Sequence, residues 1–273
     1  MKTRYDTYDK YKKTLSLSNT PCVLFYVSKN ASDEILCANW HSEIEFQLCL
    51  EGSGYLVLNG DKFLFEKDTI AVVHPEEIHY TGTSSEVIFM SMILDGKFCK
   101  NADIDFSALR FRRFIRDEAL CGYFRNIMLH YSEPPSVYRT ALLQASVLIF
   151  SAELLRRFSA SDAAPFANKK QFDEVKRSIS YIRAHYGEKL TLDALAKNAF
   201  TDKYRLSRVF KEYTGFTVTQ YINERRCEAA KDLLRSGKTV RDAALLCGFN
   251  NLSFFTRMFK RCTGKKPSEY KSD

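Results

Sequence analysis

Two arginines sit in the same surroundings. Arg208 lies in LSRVFKEYTG (206–215) and Arg257 in FTRMFKRCTG (255–264), a ten-residue phrase repeated 49 residues apart. In each copy a hydroxyl residue precedes the arginine, Ser207 or Thr256, and a lysine follows it, Lys211 or Lys260. A guanidinium can pair bidentately with guanine, hydroxyl and apolar groups can reach other base edges and the thymine methyl, and cationic side chains hold phosphates. Such chemistry works only if these residues share one outward face of a helix.

The phrase supplies that helix. Leu206, Val209, Phe210 and Tyr213 recur at i, i+3, i+4, i+7 and define a core side, leaving Tyr204, Arg205, Ser207, Arg208 and Lys211 outside. In the second copy Phe255, Met258, Phe259 and Cys262 face in, and Ser253, Thr256, Arg257, Lys260 and Arg261 face out. LDALAKNAFTD precedes the first helix and VRDAALLCGFNN the second, with Asp202 and Asn251 as N-caps. A short helix, a turn and an arginine-bearing helix make a helix-turn-helix, whose second helix enters the major groove. The pattern predicts helices over 172–186, 192–198, 203–213, 218–236, 240–246 and 252–262. Thr217 with Gln220 forms a capping box, and Gly215, Gly237 and Gly264 stand at C′ positions. The helix between the two copies, about 19 residues, is roughly 28 Å long, close to the ~34 Å between major-groove faces one DNA turn apart. One chain could therefore read two adjacent grooves; a helical-repeat scaffold is the alternative.

Charge follows the same division. Residues 169–273 hold 23 Lys+Arg against 12 Asp+Glu, whereas residues 1–168 hold 18 against 21. A basic module with a near-neutral partner suggests double-stranded DNA for the first and another task for the second; a solvated basic surface is the plainer reading. The eight cysteines form no CxxC pair, as expected of reduced thiols in a cytoplasmic protein. The first 20 residues lack the apolar core of a secretory leader, and no run approaches the ~18 apolar residues of a membrane span.

In the near-neutral half, CVLFYVSK, IEFQLCLEG, YLVLNGDKFLFEKDTIAVVHP and VIFMSMIL read as short strands of a small sandwich or barrel, with Asn59-Gly60 as a hairpin turn. DEALCGYFRNIMLHY and VYRTALLQASVLIFSAELLRRF then read as helices; the second is apolar on more than one face, by core packing or by forming a homodimer. The division is an arm over 1–20, a barrel over 21–105, a helical segment over 106–158, a linker over 159–170 and a DNA-binding domain over 171–273. The arm is a candidate moving part or a tail.

Residues 171–273 resemble the DNA-binding domain of the AraC/XylS family of bacterial transcription regulators, through LAKNAFTDKYRLSRVFKEYTG, RCEAAKDLL and GFNNLSFFTRMFKRCTGKKPSEY. The resemblance implies that Tyr204, Ser207 and Arg208 read bases from the first helix, and Leu252, Ser253, Thr256 and Arg257 from the second. Lys203, Arg205, Lys211, Lys260, Arg261, Lys265 and Lys266 would then meet phosphates. Phe200 and Thr201 stand where the family has a polar residue and Leu, and Ala243 where it has Ile. Asn39-x-His41-x3-Glu45-x6-Gly52 and Pro75-x-Glu77-x-His79 resemble the two cupin motifs, with Asn39 in place of the first His. The whole is thus expected to be an α+β multidomain protein: a cupin-like β-barrel or sandwich plus helices, then an all-α domain with two helix-turn-helix motifs joined by a long helix.

These resemblances imply a non-enzymatic, sequence-specific regulator, an activator working with RNA polymerase under a small-molecule effector such as a sugar or related metabolite. Trp40, His41, Glu43, Glu45 and His79 would line the effector pocket. Without the first cupin His, no cofactor is expected, although His41, Glu45 and His79 could still hold a metal ion; mutual hydrogen bonding inside the barrel is the plainer alternative. A metal-dependent cupin enzyme carrying a DNA-binding appendage is the competing class. A DNA-alkylation repair protein is disfavoured by the scattered cysteines.

Overall fold

Asn59 and Gly60 both take left-handed backbone, φ 52° and 99°, and turn β2 (Glu45–Leu58) into β3 (Asp61–Glu66). A computed structural model of the chain describes residues 20–29, 38–83, 85–159 and 169–271. The expected arm, apart from Thr20, and the expected linker, apart from its ends, lie outside them. The chain divides into two compact units, one built mainly of Trp40–Leu58 and Lys62–Pro165, the other mainly of Phe166–Asp273.

The first unit is an antiparallel sheet in the order β1 (Cys22–Lys29), β6 (Val87–Leu94), β2, β4 (Ile70–Val73), β7 (Phe114–Ile115), with β3 and β5 (His79–Gly82) also pairing with β2. The sequence pattern divides β2 into two strands; the structure makes it one strand of 14 residues. A register shift between Cys49 and Glu51 bends it, so its first half pairs with β4 and β6 and its second half with β5. Gly52 permits the bend, because at φ 74° a Cβ would lie 2.0 Å from the Glu86 carbonyl oxygen. β7 lies within the stretch expected to be helical; it is only two residues long and pairs with β4, which periodicity alone cannot signal.

Alternation along β2 sorts its side chains. Phe46 and Leu48 join a core with α2 (Glu118–Ser132) and α3 (Val137–Phe158), where Phe150 packs against Phe46 and Phe124 at 5.1 and 5.8 Å between ring centroids. Glu45 and Gln47 therefore point to the opposite face. A short helix, α1 (Gly96–Asn101), follows β6.

In the second unit α4 (Lys169–His185) packs on α5 (Leu192–Asn198) and α6 (Lys203–Thr214). The 18-residue helix α7 (Val218–Arg235) packs on α8 (Val240–Leu246) and α9 (Leu252–Thr263). Each helix-turn-helix thus has its own supporting helix. The expected caps are present: Thr217 and Gln220 form a reciprocal box, Asp202 and Asn251 accept from Arg205 N and Phe254 N, and Gly215 and Gly264 close α6 and α9 at φ 75° and 72°.

Candidate functional site

The outward faces of α6 and α9 separate two kinds of arginine. Arg208 and Arg257 are exposed and have no hydrogen-bond or ion-pair partner among the described residues. Arg205, expected at a phosphate, is instead directed to Glu174 of α4, with Nε 3.0 Å from Oε2. The Glu174 carboxylate is buried and needs a cation, so this guanidinium is held within its own domain. Lys203 reaches Asp193 at 3.1 Å, and Arg261 approaches Glu224 at 3.8 Å. Tyr204, Leu252 and Ser253 are exposed, as are Lys211, Lys260, Lys265 and Lys266; Ser207 and Thr256 are half-buried. Every expected base-reading residue therefore retains some exposure, and all seven stand on the helices themselves, six of them at matching positions and Leu252 opening α9.

Both turns close with the same backbone pair. Phe200 N donates to Lys197 O and Thr201 N to Ala196 O; Gly248 N donates to Leu245 O and Phe249 N to Ala244 O. Each pair is a Schellman closure, which requires a left-handed residue. Phe200 takes that conformation at φ 55°, its exposed ring beside Arg177 with the guanidinium 5.2 Å from the ring centroid. Gly248 takes it at φ 80°. The second copy's small Ala243 is fully buried in a cluster with Phe249, Phe255 and Phe259, whose rings lie 5.0 and 5.4 Å apart in sequence order.

In the sheet unit, three of the five expected pocket residues meet. Glu45 Oε2 lies 2.9 Å from His41 Nε2 and 3.2 Å from His79 Nε2, all three residues being buried. Glu45 Oε1 accepts from Gln47 Nε2 at 2.8 Å and from Ser91 Oγ, and Thr81 Oγ1 donates to Gln47 Oε1 at 2.8 Å. Glu43 does not join through its side chain, which accepts from Ser42; its carbonyl oxygen lies 2.9 Å from His41 Nδ1. Trp40 is half-buried. The sequence reading did not identify Gln47, Thr81 and Ser91, although strand alternation puts Gln47 on the Glu45 face.

The tautomers follow from the carbonyls. His41 Nδ1 faces Glu43 O, and His79 Nδ1 faces Glu77 O at 3.0 Å. A carbonyl oxygen only accepts, so both Nδ1 atoms carry protons and both Nε2 atoms are turned on the carboxylate. A neutral Nε2 would set a lone pair against Oε2, so something positive must lie between them. Protons can serve: burial pushes His79 down and Glu45 up, but their mutual charge interaction and hydrogen bonding, with His41 also acting on Glu45, leave His79 raised and Glu45 well below the usual carboxylate range. A divalent cation could also serve. The three ligand atoms lie within 4.8 Å of one another, and backbone carbonyls already orient both imidazoles as metal-bound histidines usually are. The residues fit such an ion.

A groove of about 520 Å³ on the same unit is lined by Tyr55, Lys62, Leu64, Phe114 and Arg116, among others. Lys62 Nζ sits 3.7 Å from the Tyr55 ring centroid. No sequence signal marked it, because its walls come from separate strands.

Two family models match, one described as a helix-turn-helix domain over residues 195–273 and one as an AraC-like ligand binding domain over 22–148. The probable transcription factor PqrA of Proteus vulgaris is 33% identical over 87 residues, which cover 32% of this chain and 71% of PqrA. The chain belongs to the AraC/XylS family of transcription regulators. This AraC-family chain is also 36% identical over 92 residues to the bifunctional transcriptional activator/DNA repair enzyme AdaA of Bacillus subtilis, a match covering 33% of this chain and 44% of AdaA. ToxT of Vibrio cholerae shares its two-domain fold, with a TM-score of 0.51 over 92% of this chain and 96% of ToxT at 12% identity. The unit carrying the two helix-turn-helix motifs corresponds to the family's helix-turn-helix domain, and the sheet unit to its ligand-binding domain. No helix among the described residues is long and apolar enough to cross a membrane.

Proposed function

We propose that this AraC-family chain is a sequence-specific transcription activator that reads two adjacent major grooves with α6 and α9 and answers to a small-molecule effector. The observation that carries the reading is the contrast among arginines: Arg208 and Arg257 are exposed at matching positions with no partner among the described residues, while Arg205 and Arg226 are bonded inside the domain. Tyr204, Ser207, Leu252, Ser253 and Thr256 would complete base reading. Lys203, Lys211, Lys260, Arg261, Lys265 and Lys266 would hold phosphates, and Arg205 would brace Glu174. Activation requires RNA polymerase as partner. Tyr138, Leu142 and Ile149 form an exposed apolar stripe on α3, at spacings that share a helix face, which supports pairing with a second copy. Sedimentation of Leu142→Glu against the native chain tests that pairing.

The effector would act by binding one arrangement of the sheet unit better than another, so shifting how the basic domain meets DNA. His41, Glu45 and His79 would be its contacts, with Trp40 and Glu43 beside them. The Nδ1 protons held on carbonyls favour a second reading of the same atoms as a divalent-cation site. The test is a selection of bound duplexes from a randomised pool by the full chain, followed by thermal-shift screening against sugars, other metabolites and divalent metals. A pool without enrichment overturns the regulator; stabilisation by metal that disappears in His79→Ala favours the cation. Stabilisation by an organic compound that survives His79→Ala but is lost in Lys62→Ala moves the site to the groove.

A further inference from the structure

The two recognition helices carry equivalent residues 49 positions apart, and among the positions that differ is the i, i+4 pair that opens each helix. In α6 it is Lys203 and Ser207, a cation bonded to Asp193 and a hydroxyl with no partner among the described residues. In α9 it is Leu252 and Thr256. Leu252 is 47% exposed, at the helix start, and has no polar atom in its side chain. Thr256 Oγ1 donates its proton to Leu252 O at 2.9 Å, so its hydroxyl can only accept, and it adds a methyl group that Ser207 lacks. Positions i and i+4 lie one above the other on the same face of a helix. α9 thus offers, one turn before Arg257 and beside it, an apolar pair whose polar donor is already used.

A base edge that suits this pair is apolar and needs no donor from the protein. In the major groove only thymine offers that, through its C5 methyl; guanine presents two acceptors, which call for a donor. We infer that Leu252 and Thr256 make α9 a thymine-methyl reader, next to the guanine contact of Arg257, while α6 reads without a methyl contact at the matching place. The inference rests on the base-reading role proposed for α9 and specifies its chemistry. It also gives the site a direction, since the two half-sites would differ at a defined step.

Replacing thymine by deoxyuridine removes the methyl and keeps the base pair. The full chain is used to select duplexes from a randomised pool, and each thymine of the selected duplex is replaced in turn, with affinity read by fluorescence anisotropy. At one thymine, replacement weakens binding roughly four-fold, the equivalent of ~0.8 kcal/mol for one buried methyl. Thr256→Ser, which keeps the hydroxyl, and Leu252→Ala bind thymine and uracil duplexes alike at that position, whereas Thr256→Val keeps the preference. A flat scan, or a scan that Thr256→Ser and Leu252→Ala do not alter, overturns the inference while Arg257→Ala still weakens binding. If Arg208→Ala and Arg257→Ala both bind as the native chain does, the base-reading role itself has failed.

Discussion

The first and second helix-turn-helix close their turns with the same two backbone hydrogen bonds but place Phe200 in one left-handed position and Gly248 in the other. The glycine is required twice over. A Cβ on it would lie 2.8 Å from the Gly187 carbonyl oxygen and 2.9 Å from Arg226 Nη2, in addition to the strain of φ 80°. Arg226 cannot readily give way, since its Nε and Nη2 hold the Tyr186 and Glu188 carbonyls at 2.8 Å each. Phe200 faces solvent, so its turn has room for any side chain that bears the strain. The second copy is fixed by close packing around its turn, and the first by an ion pair, Arg205 with Glu174. One supersecondary pattern is thus held in place by two different devices.

The largest effects should come from breaking each device. Gly248→Ala should destabilise the second copy by ~2–3 kcal/mol, and Arg205→Ala the first by a similar amount because it strands a buried carboxylate, both read by chemical denaturation. If Arg205→Ala left stability intact but reduced the salt dependence of DNA binding, the arginine would be a phosphate contact after all. Next, Arg208→Ala and Arg257→Ala should each cost ~1–3 kcal/mol at a selected duplex and relax specificity at one position, in different half-sites. Equal relaxation at the same position would dissolve the distinction between the copies. Neutralising Lys265 and Lys266 together should weaken binding to all sequences and lower the salt slope by roughly 1–2, with no change in preference. Smallest of all, Phe200→Gly should raise stability by about 0.5 kcal/mol, as relief of left-handed strain exceeds the added chain entropy and the lost Arg177 stacking. A loss of stability would make the exposed ring a packing element.

Most of the second unit was legible because its signals are local. Apolar residues at helical spacing, Thr217 with Gln220, Asp202, Asn251 and the C′ glycines fix helices within a few residues of where they stand. The strands were legible singly, and β1 and β6 occupy the stretches expected. The single course of β2 through its bulge, and the two-residue β7, were not, since both depend on partners distant in sequence. His41, Glu45 and His79 were legible as a set by motif spacing, and the structure brings them together. Glu43 was expected beside them through its side chain but contributes a backbone carbonyl to His41.

The sequence by itself determined the repeated phrase, its two faces and the excess of basic charge, because helix periodicity and composition need no knowledge of what lies across the fold. Only the tertiary structure decided which arginine is spent and which is free. Arg205 and Arg208 are three residues apart on one helix, and nothing local distinguishes them; the buried carboxylate of Glu174, 31 positions away from Arg205, does. The same holds for His79, whose Nε2 meets the Glu45 carboxylate only because β5 pairs back onto β2.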